Sequence, residues 1–165
     1  MGVGRSFGEA FVKSQIAAGS RLPEAGVPGS AKVFLSVKNN DKARMVDVAR
    51  ELVAMGFLLT ATRGTAASLA AAGLPVDVVN KVTEGRPNVV DMMKNGDIVL
   101  VVNTVEERRN AIADSRAIRI TALASRVATF TTIAGAEAAV EGMKCLRQFE
   151  VYPLQALHQS LRLAH

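Results

Sequence analysis

Cysteine is almost missing from this chain: Cys145 is the only one in 165 residues. A lone thiol excludes an intrachain disulfide and any cysteine-based zinc site, and the scarcity fits a reducing compartment. Tryptophan is absent and tyrosine occurs once, so platforms on which nucleic-acid bases stack are scarce. The two histidines, His158 and His165, stand isolated near the end of the chain, without metal-ligand spacing. No apolar run reaches the roughly 20 residues that span a bilayer. The opening "MGVGRSFGEAFVKSQ" lacks an apolar core and carries Glu9, so it does not read as a secretory signal. Its first six residues do fit the N-myristoylation pattern, which is short enough to arise by chance. There is no Walker A string, no GxGxxG and no Ser/His/Asp or Cys/His set. The usual fingerprints of nucleotide hydrolysis, dinucleotide binding and nucleophilic catalysis are therefore all missing.

What is present is an ordinary globular composition, 49% hydrophobic and 21% charged, in a length that suits one domain. Twenty Lys and Arg against fifteen Asp and Glu leave a net charge of +5. That excess favours anionic partners: nucleotides, phosphorylated metabolites or nucleic acid. The basic residues are scattered rather than gathered in an arm or stripe, which counts against nucleic acid.

Periodicity divides the chain. Residues 5–19 can form an amphipathic helix with Phe7, Ala10, Phe11, Ser14, Ala17 and Ala18 on one side. "GSRLPEAGVPGS" (19–30) reads as a linker, so residues 1–30 look like an appendage and 31–165 like the compact domain. Strands are expected at "AKVFLSV" (31–37), "FLLTA" (57–61), "PVDVVN" (75–80), "DIVLVVN" (97–103) and "VATFTT" (127–132). Helices are expected over 39–56, 65–73, 88–96, about 106–125, 134–148 and 153–165. This alternation predicts a three-layer α/β domain, a mostly parallel five-stranded sheet flanked by helices.

In such a sheet, ligands bind at the carboxyl ends of the strands, where strand order reverses. That rule selects Ser36, Lys38 and Lys42 after the first strand, Thr62, Gly64 and Thr65 after the second, Asn80, Lys81, Thr83 and Arg86 after the third, and Asn103 and Thr104 after the fourth. Hydroxyls, amides and ammonium groups thus converge on one edge, with Asp41 and Glu84 as the exceptional carboxylates. The set suits a phosphate. Helix N-termini offer free N–H groups and partial positive charge, Gly64 permits close backbone approach, and the lysines neutralise charge. Taken singly, each residue has a plainer reading: a turn glycine, a solvated first-turn lysine, a helix-capping asparagine. Only their convergence argues for a ligand.

The strings "LSV…DKARMVDVARELVAMGFLLTATRGTAASLAAAG" and "VNKVTEGRPNVVDMMKNGDIVLVVNT", extended by "RRNAIADSRAIRITALASRVATFTT", resemble the methylglyoxal-synthase-like domains. Within them they resemble the branch that forms the C-terminal allosteric domain of the carbamoyl phosphate synthetase large subunit. The opening helix resembles the tail of the preceding synthetase domain of that subunit. The resemblance implies a Rossmann-like fold and a regulatory site for a nucleotide monophosphate, UMP or IMP. Lys42, Thr62, Thr65 and Lys81 would hold the phosphate, with Ser36, Asn103 and Thr104 completing the pocket. It also implies an ornithine-linked role for Thr131 at the interface with the synthetase domain. It implies no cofactor and no catalytic residue in this segment. The parent enzyme, a cytoplasmic ligase of pyrimidine and arginine biosynthesis, uses ATP with Mg or Mn. It works with a glutaminase small subunit and can associate with further copies of itself. Two departures stand out: Val105 occupies a place where the family often has threonine, and Arg63 replaces a common histidine.

Two other classes fit less well. A methylglyoxal synthase-type lyase shares "TxGT" but has a catalytic aspartate after the third strand, where this chain has "KVTEGRPN". A nucleic-acid-binding domain accounts for the sequence pI of 9.8 but not for the missing aromatics.

Overall fold

The computed structural model describes residues 1–24, 31–105, 109–146 and 150–162, with backbone alone at 109–112, 157 and 160–162. The linker expected over 19–30 and the helix start expected near 106 fall partly outside these residues. Five strands form one sheet: β1 (Lys32–Ser36), β2 (Leu58–Ala61), β3 (Asp77–Val78), β4 (Ile98–Asn103) and β5 (Ala128–Phe130). The order is β3-β2-β1-β4-β5, and every pairing is parallel. Expected as mostly parallel, the sheet is wholly so, because each crossover carries a helix. From β1 the chain winds outward to β3, then returns past β1 to begin β4, so strand order reverses between β1 and β4.

Burial on both faces explains the near-continuous apolar strands. Val33, Leu35, Leu59, Ala61, Leu100 and Val102 belong to one core cluster. It is completed by α2 (Lys42–Ala54), α3 (Arg63–Ala71) and α6 (Ile133–Cys145). Phe34 and Val101 turn to the other face and meet Val89 and Met93 of α4 (Val89–Lys94) and Ile118 and Ala122 of α5 (Arg109–Ala124). Two layers of helices therefore enclose the sheet. Elements end where the sequence signals: Gly56, Gly73 and Gly96 take positive φ just past α2, α3 and α4, and Asn88 caps α4 by accepting from the N–H groups of Val90 and Asp91.

Helix α1 (Phe7–Ala17) lies against α6. The face it buries is not the one the apolar spacing marks. Gly8 and Val12 turn inward while Phe7 is exposed. The reason is close approach: a Cβ on Gly8 would sit 2.9 Å from the carbonyl oxygen of Glu141, and Gly142 faces Phe11 and Val12. A glycine seam sets the crossing where side-chain hydropathy alone points elsewhere. Helix α7 (Leu154–Arg162) follows near the end of the chain.

Candidate phosphate-binding site

The three central strands deliver polar residues to one rim. Ser36 ends β1, Thr62 follows β2 as the N-cap of α3, and Asn103 ends β4 with Thr104 next. The loop after β3 brings Lys81, and the first residue of α2 is Lys42. All seven expected site residues line one pocket of about 210 Å³ at the β1/β4 reversal. Thr131 is not among them; it lies exposed after β5, beside Thr132, the N-cap of α6.

The hydrogen bonds orient the hydroxyls. The N–H of Val37 donates to Thr65 Oγ1 at 3.1 Å, and the N–H of Lys38 donates to Thr104 Oγ1 at 3.0 Å. Each hydroxyl is thus engaged as an acceptor and keeps its own proton to donate. Thr62 Oγ1 lies 3.3 Å from Ser36 Oγ and 3.5 Å from Thr65 Oγ1, so three hydroxyls form one contiguous patch. Thr62 and Thr65 are buried, as a preformed donor patch must be to be stronger than water. The carbonyl of Thr62 accepts from the N–H groups of Thr65 and Ala66. Arg63 and Gly64 therefore open α3 with N–H groups that have no intrahelical acceptor. The Lys42 ammonium lies 3.7 Å from where a Cβ of Gly64 would stand, so one cation sits over that helix start. Among the described residues neither Lys42 nor Lys81 has a carboxylate partner.

The sequence reading missed the wall supplied by α5: Asp114, Ser115 and Ile118 also line the pocket. The Asn103 amide donates to Ser115 Oγ at 2.9 Å. Asp114 accepts from the N–H and the hydroxyl of Thr83 at 3.1 and 3.2 Å, tying the Lys81 loop to α5. Glu84 closes the same loop, accepting from the Lys81 N–H at 3.2 Å and pairing with Arg63 at 3.4 Å. Thus Asp114 and Glu84 are both engaged with the loop that carries Lys81, while Asp41, also expected at this rim, precedes Lys42 and does not line the pocket.

The model of the MGS-like domain matches residues 44–131. The chain belongs to the MGS-like domain family. The matched range holds Thr62, Thr65, Lys81, Asn103 and Thr104, while Ser36 and Lys42 lie just ahead of it. Along 98% of its length the chain is 60% identical to the carbamoyl phosphate synthase large chain of Ralstonia nicotianae (strain ATCC BAA-1114 / GMI1000). It is 48% identical, over the same share, to those of Pasteurella multocida (strain Pm70) and Neisseria gonorrhoeae. It spans only 14–15% of the length of these relatives. The solved structure of ForH superimposes with a TM-score of 0.48 at 19% identity, covering 73% of this chain and 80% of that one, a likeness too slight to bear on function. Within this MGS-like domain no described helix is long and apolar enough to cross a membrane, and the described residues hold no cluster of three or more metal-ligating side chains.

Proposed function

We propose that this domain is a regulatory module that binds the phosphate of a nucleoside monophosphate, of the UMP or IMP class. In this reading it acts within a carbamoyl phosphate synthase large chain, which makes carbamoyl phosphate from glutamine, bicarbonate and ATP. The observation that carries the reading is the donor patch at the β1/β4 reversal, where Thr62, Thr65 and the start of α3 share one pocket with two ammonium groups that have no carboxylate partner among the described residues. A phosphate monoester is a dianion above about pH 6, and this patch offers donors and positive charge without a competing free carboxylate. Charge-assisted hydrogen bonds contribute about 1.5–3 kcal/mol each. Three or four, less the costs of association, are consistent with a dissociation constant of about 1 μM.

A lyase reading needs a base. The only pocket carboxylate among the described lining residues, Asp114, accepts hydrogen bonds from Thr83 on both oxygens, which favours a structural part for it and supports the binding reading. Its effect on the rest of a large chain would be a coupling of about 1–3 kcal/mol. Thermal shift against UMP, UTP, IMP and ornithine tests the reading. At a hundredfold excess over its dissociation constant the right nucleotide adds about 2.7 kcal/mol of stability. Absence of any shift with every nucleotide rejects the proposal.

A further inference from the structure

Helix α5 turns opposite faces to two different surroundings. Inward, Asp114, Ser115 and Ile118 line the pocket at the β1/β4 reversal, and Ile118 and Ala122 pack into the core. Outward, at the spacing of one helix face, stand Arg116, Arg119, Ile120 and Leu123, all exposed. Ile120 is 58% exposed and Leu123 81%, so an apolar ridge one turn long lies open to solvent. Arg126 follows just past the helix and is exposed too. None of these three arginines has a carboxylate partner among the described residues. One is steadied by backbone alone: Arg119 Nε donates to the Ser115 carbonyl at 3.3 Å.

The end of the helix adds an independent observation. The N–H of Val127 donates to the Ala122 carbonyl at 2.8 Å and that of Arg126 to the Leu123 carbonyl at 3.1 Å. This closure puts Arg126 in left-handed backbone, with φ 55°, where glycine is the usual residue. Gly56, Gly73 and Gly96 fill the corresponding place after α2, α3 and α4. Arg126 is the one non-glycine residue at positive φ among the described residues. A side chain kept where its Cβ is disfavoured points to a use for its charge.

We propose that this face docks an acidic amphipathic helix of a partner protein. The partner's apolar ridge covers Ile120 and Leu123, and its flanking carboxylates meet Arg116, Arg119 and Arg126. Charge and shape decide the class of partner. Arginine forks match carboxylates in bidentate geometry, and the apolar ridge between them has no counterpart on a sugar–phosphate backbone. Two aliphatic side chains without an aromatic make too small an apolar face to hold a bilayer. A second copy of this chain is disfavoured as well. Face to face, like charges would oppose each other. The acidic groove between α2 and α6 has its carboxylates engaged: Asp47 with Arg50, Glu51 with Lys144, Glu137 with Arg44, and Glu141 with the Gly8 N–H. The proposal does not depend on what the phosphate pocket binds.

The test is fluorescence anisotropy of a labelled helical peptide with leucines at i, i+3 and i+7 and glutamates beside them. It is titrated with the 165-residue chain to about 1 mM, a range that registers dissociation constants well above micromolar. Peptides with Gln or Lys in place of Glu serve as controls. The expected result is saturable binding of the glutamate peptide that falls as salt rises. Binding should be at least tenfold weaker for both controls, and at least tenfold weaker in Arg119→Gln and in Leu123→Ser. Arg126→Gly should melt at or above the wild-type temperature, because glycine suits that backbone, yet bind the peptide several-fold more weakly. Loss of binding in that variant therefore reports the surface and not misfolding. Four outcomes overturn the inference. The glutamate peptide does not bind, or it binds and is indifferent to all three substitutions. Vesicles of phosphatidylcholine and phosphatidylserine sediment the chain through the same residues, or the chain self-associates in analytical ultracentrifugation and Leu123→Ser abolishes it.

Discussion

At the residue scale, the site rests on hydroxyls whose acceptor side is already engaged. Thr65→Val leaves the Val37 N–H without its acceptor, a loss of about 1–3 kcal/mol of stability, and removes a phosphate donor. The expected outcome is a lowered melting temperature and at least tenfold weaker nucleotide binding, with Thr65→Ser restoring most of both. Lys81→Ala, by contrast, should spare stability and weaken nucleotide binding about tenfold or more. The pair of readouts separates a positioned donor from a solvent-facing charge. Asp114→Asn is expected to weaken binding through the loop: the amide can accept only one of the two Thr83 bonds, so Lys81 is less well placed. Proteolysis of the 79–88 loop, faster in that variant than in wild type, checks this. The strand-end rule needs only strand boundaries, which are sharp in "AKVFLSV" and "DIVLVVN"; it reaches the seven pocket residues but also selects Lys38, Asn80, Thr83 and Arg86, which do not line the pocket, and the family resemblance narrows the set. Asp114, Ser115 and Ile118 were not legible. Their signal is a shared helix face at i, i+1 and i+4, which many helices show; what singles them out is the packing of α5 beside the Lys81 loop, a contact between segments 31 residues apart.

At the scale of elements, the sheet was readable from the alternation of apolar runs with helical periods, and the two edge strands were overdrawn: β5 keeps three residues of the expected 127–132 and β3 two of the expected 75–80. "PVDVVN" contributes two paired residues, both exposed, because it is an edge strand and Pro75 brings no N–H to a ladder. Helix α1 was predicted as an element but its inner face was misjudged, since a glycine contact leaves no trace in hydropathy. Gly8→Ala forces a Cβ against the Glu141 carbonyl and should cost about 1–3 kcal/mol, read as a drop in melting temperature without change in nucleotide affinity. The same region carries a clasp. Glu9 accepts from the Arg5 N–H at 2.8 Å, from the Lys13 ammonium at 2.7 Å and from the Tyr152 hydroxyl at 3.4 Å. The Lys13 ammonium, followed by the Arg5 N–H, holds the Glu9 carboxyl below its ordinary 4.5. Burial, then the nearby Glu150 and Glu9, push the Tyr152 phenol up to about 12. The signs are opposite in pH. The Glu9 contribution is present above 4.5 and fades as pH falls; the Tyr152 contribution is present below about 10 and fades as pH rises through about 12. Glu9→Gln should therefore flatten the acid limb of a stability–pH profile and leave the neutral plateau lower. An unchanged acid limb contradicts this account of the clasp.

At the scale of the whole molecule, a net charge of +5 favours anions in general, and in the proposed function the reversal of strand order decides where one is held. Nucleotide binding should therefore have a long-range, salt-sensitive component and a local one. Raising ionic strength should weaken nucleotide binding gradually, since the pocket is partly shielded from screening. Duplex or single-stranded DNA should show no steep salt-dependent binding. The measurement that bears most directly on the central claim is a crystal structure of the domain grown with UMP or IMP. The account predicts the phosphate at the start of α3, its oxygens within hydrogen-bonding distance of Thr62, Thr65 and the Gly64 N–H, with Lys42 and Lys81 on either side. A nucleotide whose phosphate lies elsewhere on the surface, with that helix start left to solvent, would contradict it.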